Sequence, residues 1–434
     1  MSQTQRDFFY SIFDYAQTLL KEDETLLASF YSEASSFVRF NQGKIRQPGS
    51  VNQSELNLEL IQGAKHLSAD FTLSQNETGD KETIRQTLEN LRESIASIPN
   101  DPHFLYATDV NSSENIETGA LPSAQELTEQ ILTAGDGLDF VGILAHGSIS
   151  FGFANSLGQR NWFKRDNFNF DWSVYSHADK AIKSGYSGFD WNPETLNAKF
   201  NHAREHLDIL KLPAKTLEPG EYKVFLTPSA LGEVLGLLGW FSFSQKAVQT
   251  KQSALLTLIE KQTALHTKVD ISENNEGGVG PAFNTKGFIK KPSVPLIREG
   301  LYVGALTSAR SAREYDLTTD GTNASEHPES LELGPGQLLE SDILKELGTG
   351  LYISNLWYMN FSDRQSCRMT GMTRFATFWV EDGKISAPVN VMRFDESLYR
   401  MLGENLLALT QEREHILDAG TYHRRSTSST NLPG

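Results

Sequence analysis

Cysteine is nearly absent: Cys367 is the single one in 434 residues. That excludes an internal disulfide and any metal cage built from several thiolates. Basic charge is also short, with 39 Lys and Arg against 55 Asp and Glu and a formal net charge of −16. A sequence-independent hold on nucleic acid, or on an anionic membrane, needs concentrated Lys and Arg, so the balance argues against both partners. Long apolar runs are missing too. The longest apolar neighbourhood, Val234 to Phe243, falls far below the ~18 residues a membrane span requires. Met1 to Lys21 shows no basic start followed by a pure apolar run, so no secretory signal is expected. Neither G-x-x-x-x-G-K-[ST] nor a strand-linked G-x-G-x-x-G occurs, which leaves no phosphate cradle of the usual kinds. A soluble, cytoplasmic protein is the expectation.

What is present is an ordinary globular composition, 38% hydrophobic and 22% charged, in a chain of about two or three domains' length. Phe8, Phe9, Ile12, Phe13, Ala16, Leu19 and Leu20 share one helical face. Phe37–Phe40, the turn residues Asn41-Gln-Gly43 and the alternating Leu56, Leu58 and Leu60 predict antiparallel strands. Helical spacing returns at Ile84, Leu88, Leu91, Ile95 and Ile98, ended by Pro99-Asn100. Ser123 and Glu126 form a capping-box pattern. Leu138–Ala145, Ser148–Ala154 and the alternating Phe168, Phe170, Trp172 and Val174 predict a strand group. Asn155-Ser-Leu-Gly158 supplies a turn within it. Asn192-Pro193 starts a helix to about Leu210.

The Pro- and Gly-containing connector 212–220 sets the main boundary. Two domains are expected, 1–215 with helices and an antiparallel sheet, and 216–434, rich in β-structure, in an α+β fold. The second half opens with a strand (Tyr222 to Leu226) and a helix (Ser229 to about Trp240). Asp316 to Gly336 reads as a long polar loop, of a length usually functional or mobile.

The most pointed local motif is His202-Ala-Arg-Glu205-His206. It spells H-x-x-E-H, in which two histidines one helical turn apart can hold zinc beside a general base. Glu233, Glu273 or Glu276 are available as a third ligand. The competing expectation is a solvated helix face, since these residues and Asp208 cluster opposite Phe200, Leu207 and Leu210. Cys367, between Arg364 and Arg368 and with ten histidines available as base, is a candidate nucleophile. A small buried hydrophobe in a strand is the plainer expectation. Gly185-Tyr-Ser187-Gly188 is one residue short of a nucleophile elbow, and Gly277-Gly-Val-Gly280-Pro281 is expected as a surface loop.

Several segments, in order, resemble the TldD/PmbA (TldD/TldE) family of zinc-peptidase proteins. They are 35–45, Asn155-Ser-Leu-Gly-Gln-Arg160, 193–210, 220–228, Gly321-Thr-Asn323, 331–336, Gly350-Leu-Tyr-Ile-Ser-Asn-Leu-Trp357, and 378–385 with Pro388-Val389. The resemblance implies an H-E-x-x-x-H helix and a late cysteine as the zinc site of the TldD branch. Here Gly236, Leu237 and Phe241 stand at those positions and no cysteine follows Cys367. None of the three side chains offers a metal donor or a base. The expectation is therefore a TldE-like chain without catalytic residues, metal or cofactor of its own. Its implied partners are a zinc-bearing TldD-like protease, a second copy of itself, and unfolded peptides such as modified-peptide precursors or antitoxins. The alternatives are an active peptidase using His202/His206 or Cys367, and a stand-alone peptide-binding protein. The branch also carries an older description as a DNA gyrase modulator. The family's final strand is expected to be shortened or missing, because the chain stops at Asn431-Leu-Pro-Gly434.

Overall fold

The computed structural model describes residues 4–119, 121–177, 180–420 and 423–434. Its fold is α+β, with three sheets and helices packed on them. In the first half, α1 (Gln5–Thr18), β1 (Thr25–Asn41), β2 (Lys44–Gln62), β3 (Lys65–Thr72) and α2 (Glu77–Ile95) come first. β4 (Ser113–Glu117), α3 (Ala124–Ala134), β5 (Phe140–Asn155), β6 (Arg160–His177), β7 (Lys180–Gly188) and α4 (Pro193–Leu210) follow. The second half holds β8 (Val224–Leu226), α5 (Pro228–Gly239), β9 (Ile271–Asn274), β10 (Ser293–Arg298), β11 (Leu301–Tyr302) and β12 (Ser330–Leu333). It ends with β13 (Gly350–Asp363), β14 (Arg368–Glu381), β15 (Lys384–Pro388), β16 (Arg393–Ser397), β17 (Glu414–Leu417) and β18 (Ser429–Leu432), besides shorter helical turns.

The first sheet runs β3-β2-β1-β5-β6-β4, with β7 also on β6. Its hairpin turns at Gln42 and Gly43, both at positive φ (53° and 64°), the backbone that tight antiparallel hairpins demand. The strands are longer than the alternation alone indicates. The two expected strands 138–145 and 148–154 are one continuous β5. Gly147 lies within it at φ 142°, and a Cβ there would sit 2.1 Å from the Ala34 carbonyl oxygen. Glycine at 147 marks close strand approach, not a turn.

Helices cover the sheet at its two ends. Phe9, Ile12, Phe13 and Ala16 of α1 and Ile84, Leu88 and Leu91 of α2 pack on β1 and β2. α3 is closed by the predicted capping box, Ser123 N donating to Glu126 Oε2 at 2.8 Å. α4 begins as expected, Asn192 Oδ1 accepting from Glu194 N at 2.8 Å with Pro193 in the first turn. Phe200 of α4 stacks on Trp172 at 4.2 Å between ring centres. Both are essentially fully buried, each aromatic contributing about 2–3 kcal/mol by burial.

In the second half a six-stranded sheet runs β11-β10-β9-β12-β18-β17. A five-stranded one runs β15-β14-β13-β8 with β16 on β14. Of the expected shortening or loss of the final strand, loss is corrected here: a four-residue β18 is present, parallel to β12 and antiparallel to β17. The polar stretch 316–336 is not a loose loop either. It contains β12, and Asp320, Thr322 and Glu326 are buried. The Gly-rich stretch 277–281 is likewise no surface loop at its centre, since Gly278 and Val279 are buried and Arg165 donates to the Gly278 carbonyl.

The two halves are tied together at several places. His206 of α4 packs on Phe378 and Tyr352. The segment around β17 lies back on the first sheet, with Ser187 Oγ donating to the His415 carbonyl at 3.0 Å and accepting from Leu417 N at 3.0 Å. Arg425 N reaches buried Glu33 at 2.9 Å. Between these contacts an open space remains.

Candidate functional site

That space is a cleft of about 610 Å³, walled by β6 and β7 on one side and α5 on the other. α5 forms because Thr227 Oγ1 caps Ala230 N at 3.3 Å, Pro228 opens the first turn, and Ala230, Leu231, Val234, Leu235 and Leu238 bury one broad stripe. Its other side faces the cleft through Gly232, Glu233, Gly236 and Leu237. Gly236 meets open space: no atom lies within 4 Å of where its Cβ would be. The helix ends at Gly239, and Phe241 lies beyond it at φ 68° with its ring 57% exposed. Of the three positions that the resemblance assigns to zinc ligands and base, Gly236 and Leu237 line the cleft and Phe241 sits outside the helix. Their hydrogen and hydrocarbon side chains do not fit a metal ion, so no chemistry is routed through one.

Charged groups meet on the opposite wall. Lys183 of β7 stands 3.9 Å from Asp171 of β6. Glu233 has no hydrogen-bond donor among the described residues and is offset only by the charge of Lys183. Both carboxyls are held above the usual carboxylate range, first because protein crowds their solvation and against the opposing pull of Lys183. Glu233 is nonetheless open to the cleft itself, so an incoming ligand can reach it. His415 also lines the cleft. Burial, then the charge of Arg165, lowers its pKa, and its Nε2 has no hydrogen-bond partner among the described residues. His327 is fixed by its Nδ1, 2.6 Å from the Pro328 carbonyl.

The residues singled out by the H-x-x-E-H motif lie elsewhere. The His202 and His206 rings are 3.9 Å apart, but His206 is buried against Phe378 at 4.8 Å. Burial, with His202 beside it, drives its pKa down to about 3. The expected solvated face is thus corrected: His202, Glu205 and Asp208 are exposed, whereas His206 belongs to the contact between the two halves. Glu233 is in the cleft, Glu273 is buried on β9 and Glu276 is exposed. Among the described residues no three His, Cys, Asp or Glu side chains gather as a metal ion would need.

Cys367 occupies the turn between β13 and β14 at φ 48°, not a strand, and is fully buried. Burial pushes its thiol up to about 12 despite Arg364 nearby, the opposite of an activated nucleophile. Asp171, Lys183, His327 and His415 carried no sequence signal. Asp171 sits on the outward face of the Phe168–Val174 alternation, where a charge normally means solvent.

These features define an α+β chain with a helix-lined cleft, and the sequence identifies its class. Residues 219–433 match the family described as the PmbA/TldA metallopeptidase C-terminal domain. The chain belongs to the TldD/PmbA family. No curated protein matches it. Among solved structures, TldE from Thermococcus kodakarensis is similar at TM-score 0.76 and 12% identity, over 98% of this chain and 97% of that one. A candidate DNA gyrase modulator from Thermotoga maritima MSB8 is similar at TM-score 0.74 and 15% identity, over 99% and 98%. Another from Bacteroides thetaiotaomicron VPI-5482 is similar at TM-score 0.74 and 15% identity, over 100% and 97%. At these identities the structural likeness speaks for the fold alone.

Proposed function

We propose that this chain is a non-catalytic, TldE-like member of its family, which holds unfolded peptide in the α5 cleft beside a separate zinc-bearing TldD-like protease. The division into domains 1–215 and 216–434, with the cleft between them, and a cytoplasmic setting belong to the same proposal. The observation that carries it is the cleft-facing side of α5, which presents Gly236 and Leu237 where water activation would need a ligand and a base. A net charge of −16 supports peptide over DNA as the direct ligand, whatever the gyrase description of similar proteins.

The test is metal analysis of protein purified from its native host, together with whatever chain co-purifies. We expect no stoichiometric zinc on this chain and a TldD-like protein in the complex. Zinc on this chain that is lost in His202→Ala would overturn the non-catalytic reading. Complete thiol labelling of Cys367 in the native state would revive it as a nucleophile. Recovery of this chain alone, or only as a dimer of itself, removes the protease-partner part and leaves a peptide-binding protein.

A further inference from the structure

The cleft is built for a particular kind of peptide. Its lining contains four carboxylates, Asp171, Glu233, Glu414 and Asp418, against one lysine, Lys183. Glu414 already pairs with Lys199, and Asp418 caps its own turn by accepting from Gly420 N at 3.1 Å. Asp171 and Glu233 are left to share Lys183. That leaves one negative charge uncompensated at the partly desolvated pair Asp171 and Glu233, besides the charge of Asp418, and an arriving cation gains more there than it would at an open surface.

The rim is apolar. Trp240 and Met359 border the cleft. Phe241 follows Trp240, and Trp357 and Tyr358 precede Met359 on β13. Trp240 is 64% exposed and Tyr358 75% exposed. Phe241 and Tyr358 hold positive φ, 68° and 57°, a backbone that non-glycine residues rarely adopt. Arg374 stacks on Trp357 at 4.0 Å, and Arg364 Nη2 donates to the Trp240 carbonyl at 3.2 Å. Of these rings, Trp240 stands exposed at the mouth of the cavity, beside Met359. Exposed Trp, Tyr and Arg together are the composition of a binding hot spot. A volume of about 610 Å³ suits a ligand of a few residues.

We propose that the cleft selects peptides in which a basic residue adjoins an apolar or aromatic one, the cation seated at Asp171 and Glu233 and the apolar side chain packed on Trp240 and Met359 at the rim. This rests on the peptide-holding reading above. A phosphate-bearing or acidic ligand would meet the excess carboxylate and be repelled.

The test uses the purified full-length chain and fluorescein-labelled pentapeptides of otherwise identical sequence, read by anisotropy at low salt. One contains Lys-Phe, one acetyl-lysine-Phe, one Glu-Phe and one Lys-Ser. We expect Lys-Phe to bind about tenfold more tightly than acetyl-lysine-Phe, the size of one charge-assisted contact. Glu-Phe should bind weakest and Lys-Ser should fall below Lys-Phe. Asp171→Asn with Glu233→Gln should erase the lysine preference and leave the phenylalanine preference. Trp240→Ser with Met359→Ser should do the reverse. Binding that is the same for lysine and acetyl-lysine, or tighter for glutamate, overturns this selectivity and leaves the peptide-holding reading standing. Absence of binding by every peptide overturns both.

Discussion

Two neighbouring helices of this chain make opposite statements. α4 spells a metal motif and buries one of its two histidines, since His206 packs on Phe378. α5 carries no metal donor at Gly236 or Leu237, which the resemblance assigns to the zinc motif, and turns that side to a cleft of about 610 Å³. A ligand set is chemistry only where a cavity admits a substrate. A cavity wall without donors can still bind. Motif and access are separate properties, and here they have been parted between consecutive helices.

The contrast can be broken in four ways, from large effect to none. Phe200→Ala on α4 removes a ring stacked on Trp172 and should cost about 3–5 kcal/mol in denaturant unfolding. A cost below about 1 kcal/mol would mean that α4 does not anchor the structure. Acid should act through the same helix. His206 titrates near 3 when folded and near the ordinary ~6.5 when unfolded. As pH falls through 6.5 the unfolded chain takes a proton that the folded one refuses, so stability drops. We expect a loss of about 1–2 kcal/mol between pH 7 and 5 that His206→Leu escapes, measured as the difference between the two unfolding curves. An equal loss in both proteins would place the titration elsewhere.

On α5 the sign reverses. Gly236→Ala points into open space and should stabilise by about 0.5–1 kcal/mol, because glycine is a poor helix interior residue. Destabilisation there would show that the cleft is closed over this position. Finally, Phe241→His should bind no stoichiometric zinc by metal analysis, because position 241 lies past the end of the helix and no second ligand is present. Uptake of one zinc by that variant would show that the positions of the zinc motif were assigned to the wrong residues.

Much of the fold was legible locally. The Ser123–Glu126 box, the Asn192-Pro193 start and the Gln42-Gly43 turn use contacts within four residues, which a sequence displays directly. Long pairings were not. β12 meets β18 in parallel across about a hundred residues, a pairing that no local pattern around 429–432 displays. The expected break between Ala145 and Ser148 has the same cause, because Gly147 accommodates the Ala34 carbonyl of another strand. At the site, Gly236 and Leu237 were found through likeness to a family. Asp171 and Lys183 escaped, since nothing local distinguishes a charge facing a cleft from one facing water.

By itself the sequence determined the elements, their caps, the family, and the lack of donors at 236, 237 and 241, because these depend on side-chain type and short-range order. Only the tertiary structure decided which helix would face open space. It placed β6, β7 and α5 opposite one another, buried His206, and set Trp240 at the mouth of the cleft. Those outcomes follow from packing between residues far apart in the chain, where burial and charge are set by what each side chain happens to meet.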